Sequence, residues 1–95
     1  MFNLELISSL ENNDTWYVYI LECKDSTYYT SMTSDIVRRF DEHQKGNGAK
    51  YTKGRLPIKL MYFETLSSRS AAIKREVEIK HYSRIKKKEL IALAL

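Results

Sequence analysis

Side-chain polarity along the first third of the chain follows the pattern of a β-hairpin. Residues 16–23 are a dense run of β-forming side chains, which predicts a central strand that is covered on both faces. The polar residues 24–26 predict a turn, and residues 27–32 predict the second strand of the hairpin. Antiparallel pairing would bring Tyr19 and Tyr29 onto one face of the sheet, although the sequence alone leaves the register open.

Beyond the hairpin, the spacing of apolar residues changes to that of helices, with one more strand among them. In that strand, Ile58, Leu60 and Tyr62 are expected to alternate to one side. The predicted elements are a helix capped by residues 33–35 that ends near Gln44, a loop over residues 45–56, a strand over residues 58–64, a helix capped by Ser67 and Ser68 that ends near Tyr82, and a short helix capped by Ser83.

Charge is distributed unevenly between the start of the chain and the rest. Residues 1–15 hold three acidic residues and no Lys or Arg, whereas residues 16–95 hold sixteen basic against nine acidic residues, a net charge of +7. We therefore divide the chain into an N-terminal arm, residues 1–15, and a single small α/β domain, residues 16–95. A basic domain is attracted to polyanions, of which nucleic acid is the commonest in a cell. The alternative is a protein that is merely rich in lysine.

The cysteine content and the hydropathy disfavour secreted and membrane proteins. Cys23 is the one cysteine, so no internal disulfide can form, and its apolar neighbours favour a packed side chain over a reactive thiol. The N-terminus lacks the basic start and apolar run of a secretory signal, and no segment approaches the roughly 18 apolar residues of a membrane span. We therefore expect a cytoplasmic protein without membrane contact.

Two residues of the first predicted helix are placed to bind phosphate. On a helix, Ile36, Val37 and Phe40 form the buried stripe, and Arg39 and His43 lie together at its edge. A guanidinium beside an imidazole at the rim of a core suits a phosphate group. The alternative is an arginine whose stem covers the core while its charged end stays in water.

The second predicted helix carries a carboxylate, Glu76, on its apolar stripe. The stripe includes Ile73 and Ile79, and Glu76 falls between them. An ionised carboxylate is costly in such a place unless it is paired or bound to a cation. One interpretation is an ion pair with Arg39 or Lys80. The other is a ligand for one divalent ion such as Mg²⁺, which one carboxylate and several waters can hold.

The glycine-containing loop after the first helix carries a cluster of basic side chains. Lysine-rich runs are usually solvated, but this loop interleaves its bases with a tyrosine and with glycines. That combination suits a mobile clamp on a phosphodiester backbone. The residues expected to contact nucleic acid are Lys45, Lys50, Tyr51, Lys53 and Arg55.

The order and spacing of these features resemble those of GIY-YIG nuclease domains. Tyr17-Val18-Tyr19 stands where these domains carry Gly-Ile-Tyr, and Tyr29-Thr30-Ser31 stands where they carry Tyr-Ile-Gly. The spacing Thr33-x-Asp35-x-x-x-Arg39-x-x-x-His43 and the helical Glu76 match the remaining motifs. Residues 16–92 look like the small stand-alone bacterial members of this family.

The resemblance implies a fold, a reaction and a role for each residue. The fold would be a small three-stranded antiparallel sheet flanked by helices. The reaction would be cleavage of a phosphodiester bond, most readily in DNA, with one metal ion, Mg²⁺ or Mn²⁺. By motif position, Tyr19 would be the general base or would orient the attacking water, and Tyr29 would support the water network. Arg39 would stabilise charge on the phosphate, and His43 would assist by hydrogen bonding or proton transfer. Glu76 would hold the metal.

Two serines stand where the family usually has glycines. Ser26 occupies the hairpin turn, and Ser31 closes the second triplet on the face of Tyr29. Glycine at such positions often marks an unusual backbone conformation or a place where a ligand or another segment approaches the backbone closely. The leading hypothesis is therefore a metal-dependent endonuclease, and the alternative is a nucleic-acid-binding module of the same fold without turnover. A protein-interaction domain is the third hypothesis.

Overall fold

The computed structural model describes residues 15–94, so the predicted N-terminal arm lies outside the described residues except for Thr15. The described part is an α+β fold in which a three-stranded antiparallel sheet, in the strand order β2-β1-β3, is flanked by helices. The strands are β1 (Trp16–Glu22), β2 (Tyr28–Thr33) and β3 (Lys59–Leu66), and the helices are α1 (Ile36–Gln44), α2 (Lys50–Lys53), α3 (Arg69–Lys80) and α4 (Arg84–Leu93).

The central strand β1 separates two hydrophobic cores. Tyr17, Tyr19 and Leu21 point to one face, where α1 packs, and Val18 and Ile20 point to the other, where α3 and α4 pack. All five side chains are buried. The apolar run of β1 therefore forms a strand that is covered on both faces, as the sequence predicts.

A β-bulge in β3 changes which residues face each core. Ile20 pairs with Tyr62, whereas the next residue of β1 pairs with Leu60, so Met61 is the extra residue between them. Leu60 packs in the core of α1, together with Ile58, and Tyr62 packs in the opposite core. The expected one-sided alternation of these three residues is therefore wrong, because the inserted residue reverses the side-chain alternation.

One of the two serines that stand where the family has glycine lies in the hairpin turn. Ser26 has a φ of 66°, in the left-handed region that costs a residue with a Cβ about 1–2 kcal/mol. The Asp25 carboxylate supports the turn by accepting hydrogen bonds from the backbone N–H and the hydroxyl of Thr27, at 3.2 and 2.6 Å. The turn therefore keeps the conformation that glycine favours.

Polar side chains begin the three longer helices. The side chains of Asp35, Ser68 and Ser83 each accept a hydrogen bond from the backbone N–H three residues later. The short helix α2 occupies part of what the sequence predicts as a loop. Among residues 15–94, no helix is long and apolar enough to cross a membrane.

Candidate active site

The β1–β2 pairing places two tyrosines on the same face of the sheet. In the register, Tyr19 lies opposite Ser31 and Leu21 lies opposite Tyr29, so the two tyrosines are diagonal neighbours. Tyr19 is buried and Tyr29 is half-buried. The predicted shared face is confirmed, and it is the face on which α1 packs.

His43, in the last turn of α1, joins the two tyrosines. Its Nε2 atom lies 3.0 Å from the Tyr19 hydroxyl oxygen, and its Nδ1 atom lies 2.9 Å from Oγ1 of Thr52. The ring of Tyr29 meets the imidazole edge-on, with 5.5 Å between the ring centroids. The expectation that His43 lies at the edge of the helix stripe is wrong, because Gly48 and Thr52 fold against it and its exposed fraction is 0%.

Burial keeps both hydrogen-bonded groups uncharged at neutral pH. Burial, with the positive charge of Arg39 in support, lowers the pKa of His43 from 6.5 to about 4. Burial also raises the pKa of Tyr19 above its usual 10, although hydrogen bonding from Ser31 and the charge of Arg39 oppose that rise. The pair at neutral pH is therefore a phenol and a neutral imidazole.

Arg39 lies at the open side of this pair. Its side chain is 29% exposed, and its guanidinium is 3.8 Å from the carboxylate of Glu42. Its positive charge and its donor groups oppose the rise in the pKa of Tyr19. The neighbouring Arg38 is exposed and lies 3.8 Å from Asp35. Of the two arginines, Arg39 is the one placed to bind an anion beside Tyr19.

An aromatic stack connects α2 to the tyrosine pair. The ring of Tyr51 lies nearly parallel to that of Tyr29, with 5.7 Å between centroids and 20° between planes. The guanidinium of Arg55 lies 3.9 Å from the centroid of the Tyr51 ring, and its Nε donates to Asp25 at 3.0 Å. Where the sequence predicts a mobile loop, the structure has a helical turn held to the hairpin by this stack.

The basic residues predicted to contact nucleic acid differ in how they are engaged. Lys45 forms an ion pair with Asp41 at 2.8 Å, and Arg55 is held by the stack and the hairpin turn. Lys50 and Lys53 are exposed and form no ion pair within residues 15–94. These two lysines, which lie on α2 on either side of Tyr51, are therefore the bases most available to an external phosphate.

Glu76 lies on α3, whose buried residues pack in the core on the other face of the sheet. Its side chain is 18% exposed, and its Oε1 atom is 3.3 Å from Nζ of Lys80. Of the two predicted ion pairs, the one with Lys80 is present; within residues 15–94, Glu76 has no ion pair with Arg39 and no hydrogen bond to either site tyrosine. The buried apolar stripe of α3 is narrower than the sequence predicts, because Ile79 is buried but Ile73 is 39% exposed.

The chemistry of Glu76 fits a hydrated divalent ion. No three His, Cys, Asp or Glu side chains in the described part of the chain gather into a metal site. However, Mg²⁺ commonly keeps several waters and binds through one or two carboxylates. The Oε2 atom of Glu76 accepts no hydrogen bond from residues 15–94, and Oε1 has only the ammonium of Lys80. One carboxylate oxygen is thus available to a metal without the loss of an existing contact.

The second serine in place of a glycine lies directly at the site. Ser31 faces Tyr19 across the β1–β2 ladder, and its side chain opposes the rise in the pKa of Tyr19. The substitution therefore adds a polar group beside the atom that carries the predicted chemistry.

Sequence reasoning missed Gly48 and Thr52. Thr52 is fully buried and contacts His43, yet its neighbours in sequence are exposed and follow no apolar period. Residues 48–57 resemble the small bacterial members of the family as a run, but that resemblance does not single out Thr52. Gly48 gave no signal of its own, because its importance lies in its distance from a side chain on another element.

The fold and the site together define a class of small α+β domain. In this chain, tyrosines on a β-hairpin and basic residues on the following helix form one cluster beside the sheet. The chain belongs to the GIY-YIG family, since residues 15–89 match the model of the GIY-YIG catalytic domain. This is a family of nucleases that act on nucleic acid and generally depend on a divalent metal.

Relatives and solved structures agree with this assignment. A UPF0213 protein of Haloquadratum walsbyi is 55% identical over 78 residues, which are 82% of this chain and 88% of that protein. The solution NMR structure of a UPF0213 protein from Bacillus halodurans is 48% identical, with a TM-score of 0.55 over 83% of this chain and 84% of that chain. The solution NMR structure of an E. faecalis protein is 34% identical, with a TM-score of 0.60 over 87% and 88%.

Proposed function

We propose that this protein is a metal-dependent endonuclease that hydrolyses phosphodiester bonds in DNA. The observation that carries the proposal is the convergence of Tyr19, Tyr29, Arg39 and His43, which come from three different elements. Phosphodiester hydrolysis needs an acceptor for the proton of the attacking water and a positive charge for the phosphate. This cluster holds groups suited to both tasks.

Tyr19 and His43 are proposed to share the proton transfer. The raised pKa of Tyr19 means that a stable phenolate is disfavoured, so Tyr19 does not act as a pre-ionised base. Instead, the Tyr19 hydroxyl proton moves to Nε2 of His43 while the Tyr19 oxygen takes a proton from water. The water oxygen forms a bond to phosphorus, and the bond from phosphorus to the leaving oxygen breaks. The same relay then runs in reverse: Nε2 of His43 returns its proton to the Tyr19 oxygen, which gives a proton to the leaving oxygen, so that His43 is neutral again. The hydroxyl of Tyr29 supports the water.

The remaining roles belong to charged groups outside this pair. Arg39 stabilises the negative charge that develops on the phosphate oxygens. Glu76 is the proposed ligand of the divalent ion, Mg²⁺ or Mn²⁺, which when bound supplies Lewis-acid stabilisation. Lys50 and Lys53 contact the phosphodiester backbone, and the exposed edge of Tyr51, which lies between them on α2, contacts the nucleic acid beside them. The proposed location is the cytoplasm.

Cleavage and metal binding test this proposal together. Labelled single-stranded, duplex, flap and junction DNA are incubated with Mg²⁺ or Mn²⁺ and with wild type, Glu76→Gln or Glu78→Gln. Glu78 lies on the same helix and contacts Arg75 and Tyr82, so it is a matched control. Wild type and the control should cut, and Glu76→Gln should not. Paramagnetic broadening of NMR signals by Mn²⁺ should centre on Glu76 in wild type and disappear in Glu76→Gln.

Two results would reject the proposal. Wild type that cuts none of the substrates would remove the catalytic claim, and full activity of Glu76→Gln would remove the metal-ligand role.

A second candidate function is a nucleic-acid-binding module of the same fold that does not cut. The position of Ser31 directly opposite Tyr19 favours it, because the added hydroxyl alters the surroundings of the catalytic atom. This candidate predicts salt-sensitive DNA binding without cleavage. Restored cutting in Ser31→Gly would identify Ser31 as the cause, whereas cutting by the unmodified protein would exclude this candidate.

A further inference from the structure

We infer that Thr52 is a positioning residue that fixes His43 in the tautomer with its proton on Nδ1, and that Gly48 permits the close packing this contact needs. In this tautomer Nε2 is a proton acceptor, and it faces the Tyr19 hydroxyl. The inference deepens the proposed function and rests on it for the catalytic consequence, but the tautomer can be measured without any cleavage.

Thr52 selects the tautomer through its single hydroxyl proton. Oγ1 of Thr52 lies 3.2 Å from the carbonyl oxygen of Ala49, which can only accept, so the hydroxyl proton points there. Oγ1 must then accept from Nδ1 of His43, at 2.9 Å. A neutral imidazole carries one N–H proton, and Nδ1 therefore holds it.

The second ring nitrogen is then left with a lone pair. Nε2 of His43 lies 3.0 Å from the hydroxyl oxygen of Tyr19, so the hydroxyl is the donor in that contact. The chain of hydrogen bonds runs in one direction, from Tyr19 through His43 and Thr52 to the carbonyl of Ala49. The proposed proton transfer needs this direction, since a protonated Nε2 cannot accept a proton from Tyr19.

Gly48 lets the backbone approach closely enough for this arrangement. A Cβ atom at position 48 would lie 2.4 Å from Nδ1 and 2.6 Å from Cγ of His43. It would also lie 2.8 Å from the Cα atom of His43, so rotation of the imidazole alone would not relieve the clash. Any larger residue here must displace the segment that carries Thr52 or the end of α1. Gly48 and Thr52 therefore hold the imidazole from the side opposite Tyr19.

Nitrogen-15 NMR of histidine-labelled protein at pH 7 tests the tautomer directly. In wild type, Nδ1 of His43 should have the chemical shift of a protonated nitrogen and Nε2 that of an unprotonated one. Thr52→Ser keeps the hydroxyl and should keep this signature. Thr52→Val, which has the same shape without the hydroxyl, should lose it. Thr65→Val, an exposed threonine on β3, is the control and should change nothing.

Kinetics then separate positioning from a purely structural role. Thr52→Val should lower kcat at least about tenfold with little change in KM, and Thr52→Ser should restore most of the rate. A proton on Nε2 in wild type, or an unchanged signature in Thr52→Val, would overturn the inference. If the tautomer is as stated but wild type cuts no DNA, the proposed function fails and the tautomer assignment stands. A proton on Nε2 in the wild-type spectrum refutes the inference by itself, so the inference stays falsifiable even if Thr52→Val does not fold.

Discussion

Acidification is expected to destabilise the fold through His43. The pKa of this side chain is 6.5 in its ordinary state and about 4 in the folded protein. Because the folded-state pKa is the lower one, the unfolded chain binds a proton more readily between these values. The stabilising contribution is therefore complete above pH 6.5 and is lost as the pH falls toward 4.

The magnitude follows from the difference between the two pKa values. A difference of about 2.5 corresponds to about 3 kcal/mol once the pH is below both values. At pH 5.0, linkage gives a loss of about 2 kcal/mol relative to pH 7.5. That loss is a large fraction of the stability of a small domain, which is typically about 5–15 kcal/mol.

Urea unfolding at pH 7.5 and pH 5.0 measures this loss, with the fluorescence of Trp16 as the signal. His43→Gln is the reference, because it removes the titrating group. The carboxyls of Asp25 and Glu78, whose pKa values are lowered by hydrogen bonds and nearby charges, titrate in both proteins and cancel. Wild type should lose about 2 kcal/mol more than the variant between the two pH values.

Either of two results would refute this reasoning. One is an equal loss of stability in wild type and His43→Gln. The other is an NMR titration in which His43 of the folded protein titrates near 6.5, and this second measurement does not depend on whether the variant folds.

Three further predictions concern the turn, the tyrosine and the basic helix. Ser26→Gly should raise the free energy of unfolding by about 0.5–1 kcal/mol, because it relieves a left-handed conformation; a lower value in urea unfolding would contradict this. Tyr19→Phe should lower the free energy of unfolding by about 1–2 kcal/mol, because Nε2 of His43 loses its hydrogen-bond donor. The same substitution should slow cleavage at least about 100-fold, and an unchanged rate in gel assays would contradict a catalytic role of the hydroxyl. Lys50→Gln and Lys53→Gln should each reduce by about 1 the slope of the logarithm of the DNA-binding constant against the logarithm of the salt concentration, measured by fluorescence anisotropy. The control Lys74→Gln, on α3, should leave this slope unchanged. Equal effects of all three substitutions would refute a specific contact by α2.

The secondary structure could be predicted from sequence because its signals are local. The hairpin follows from β-forming runs around a polar turn, and the helices follow from capping residues and apolar spacing. Thus Asp35, Ser68 and Ser83 cap the helices as expected. The ion pair between Glu76 and Lys80 was also one of the stated alternatives, since residues four apart on a helix are neighbours.

Features that depend on contacts between elements could not be predicted in the same way. The bulge at Met61 depends on how β3 pairs with β1, and the alternation of apolar residues within β3 gives no sign of it. His43 was expected at the edge of the apolar stripe of α1 because helix periodicity places it there, but the segment with Gly48 and Thr52 covers it. Thr52 and Gly48 matter through contacts with His43, and nothing in their immediate sequence shows those contacts.

The central claim is that the cluster around Tyr19 cleaves a phosphodiester bond, and a matched pair of arginines tests it most directly. Arg39 acts on the Tyr19 hydroxyl, whereas the adjacent Arg38 is exposed beside Asp35. Single-turnover cleavage of a labelled DNA substrate should fall at least about 100-fold in Arg39→Ala and change little in Arg38→Ala. Absence of cleavage by wild type, or an equal fall in both variants, would contradict the account.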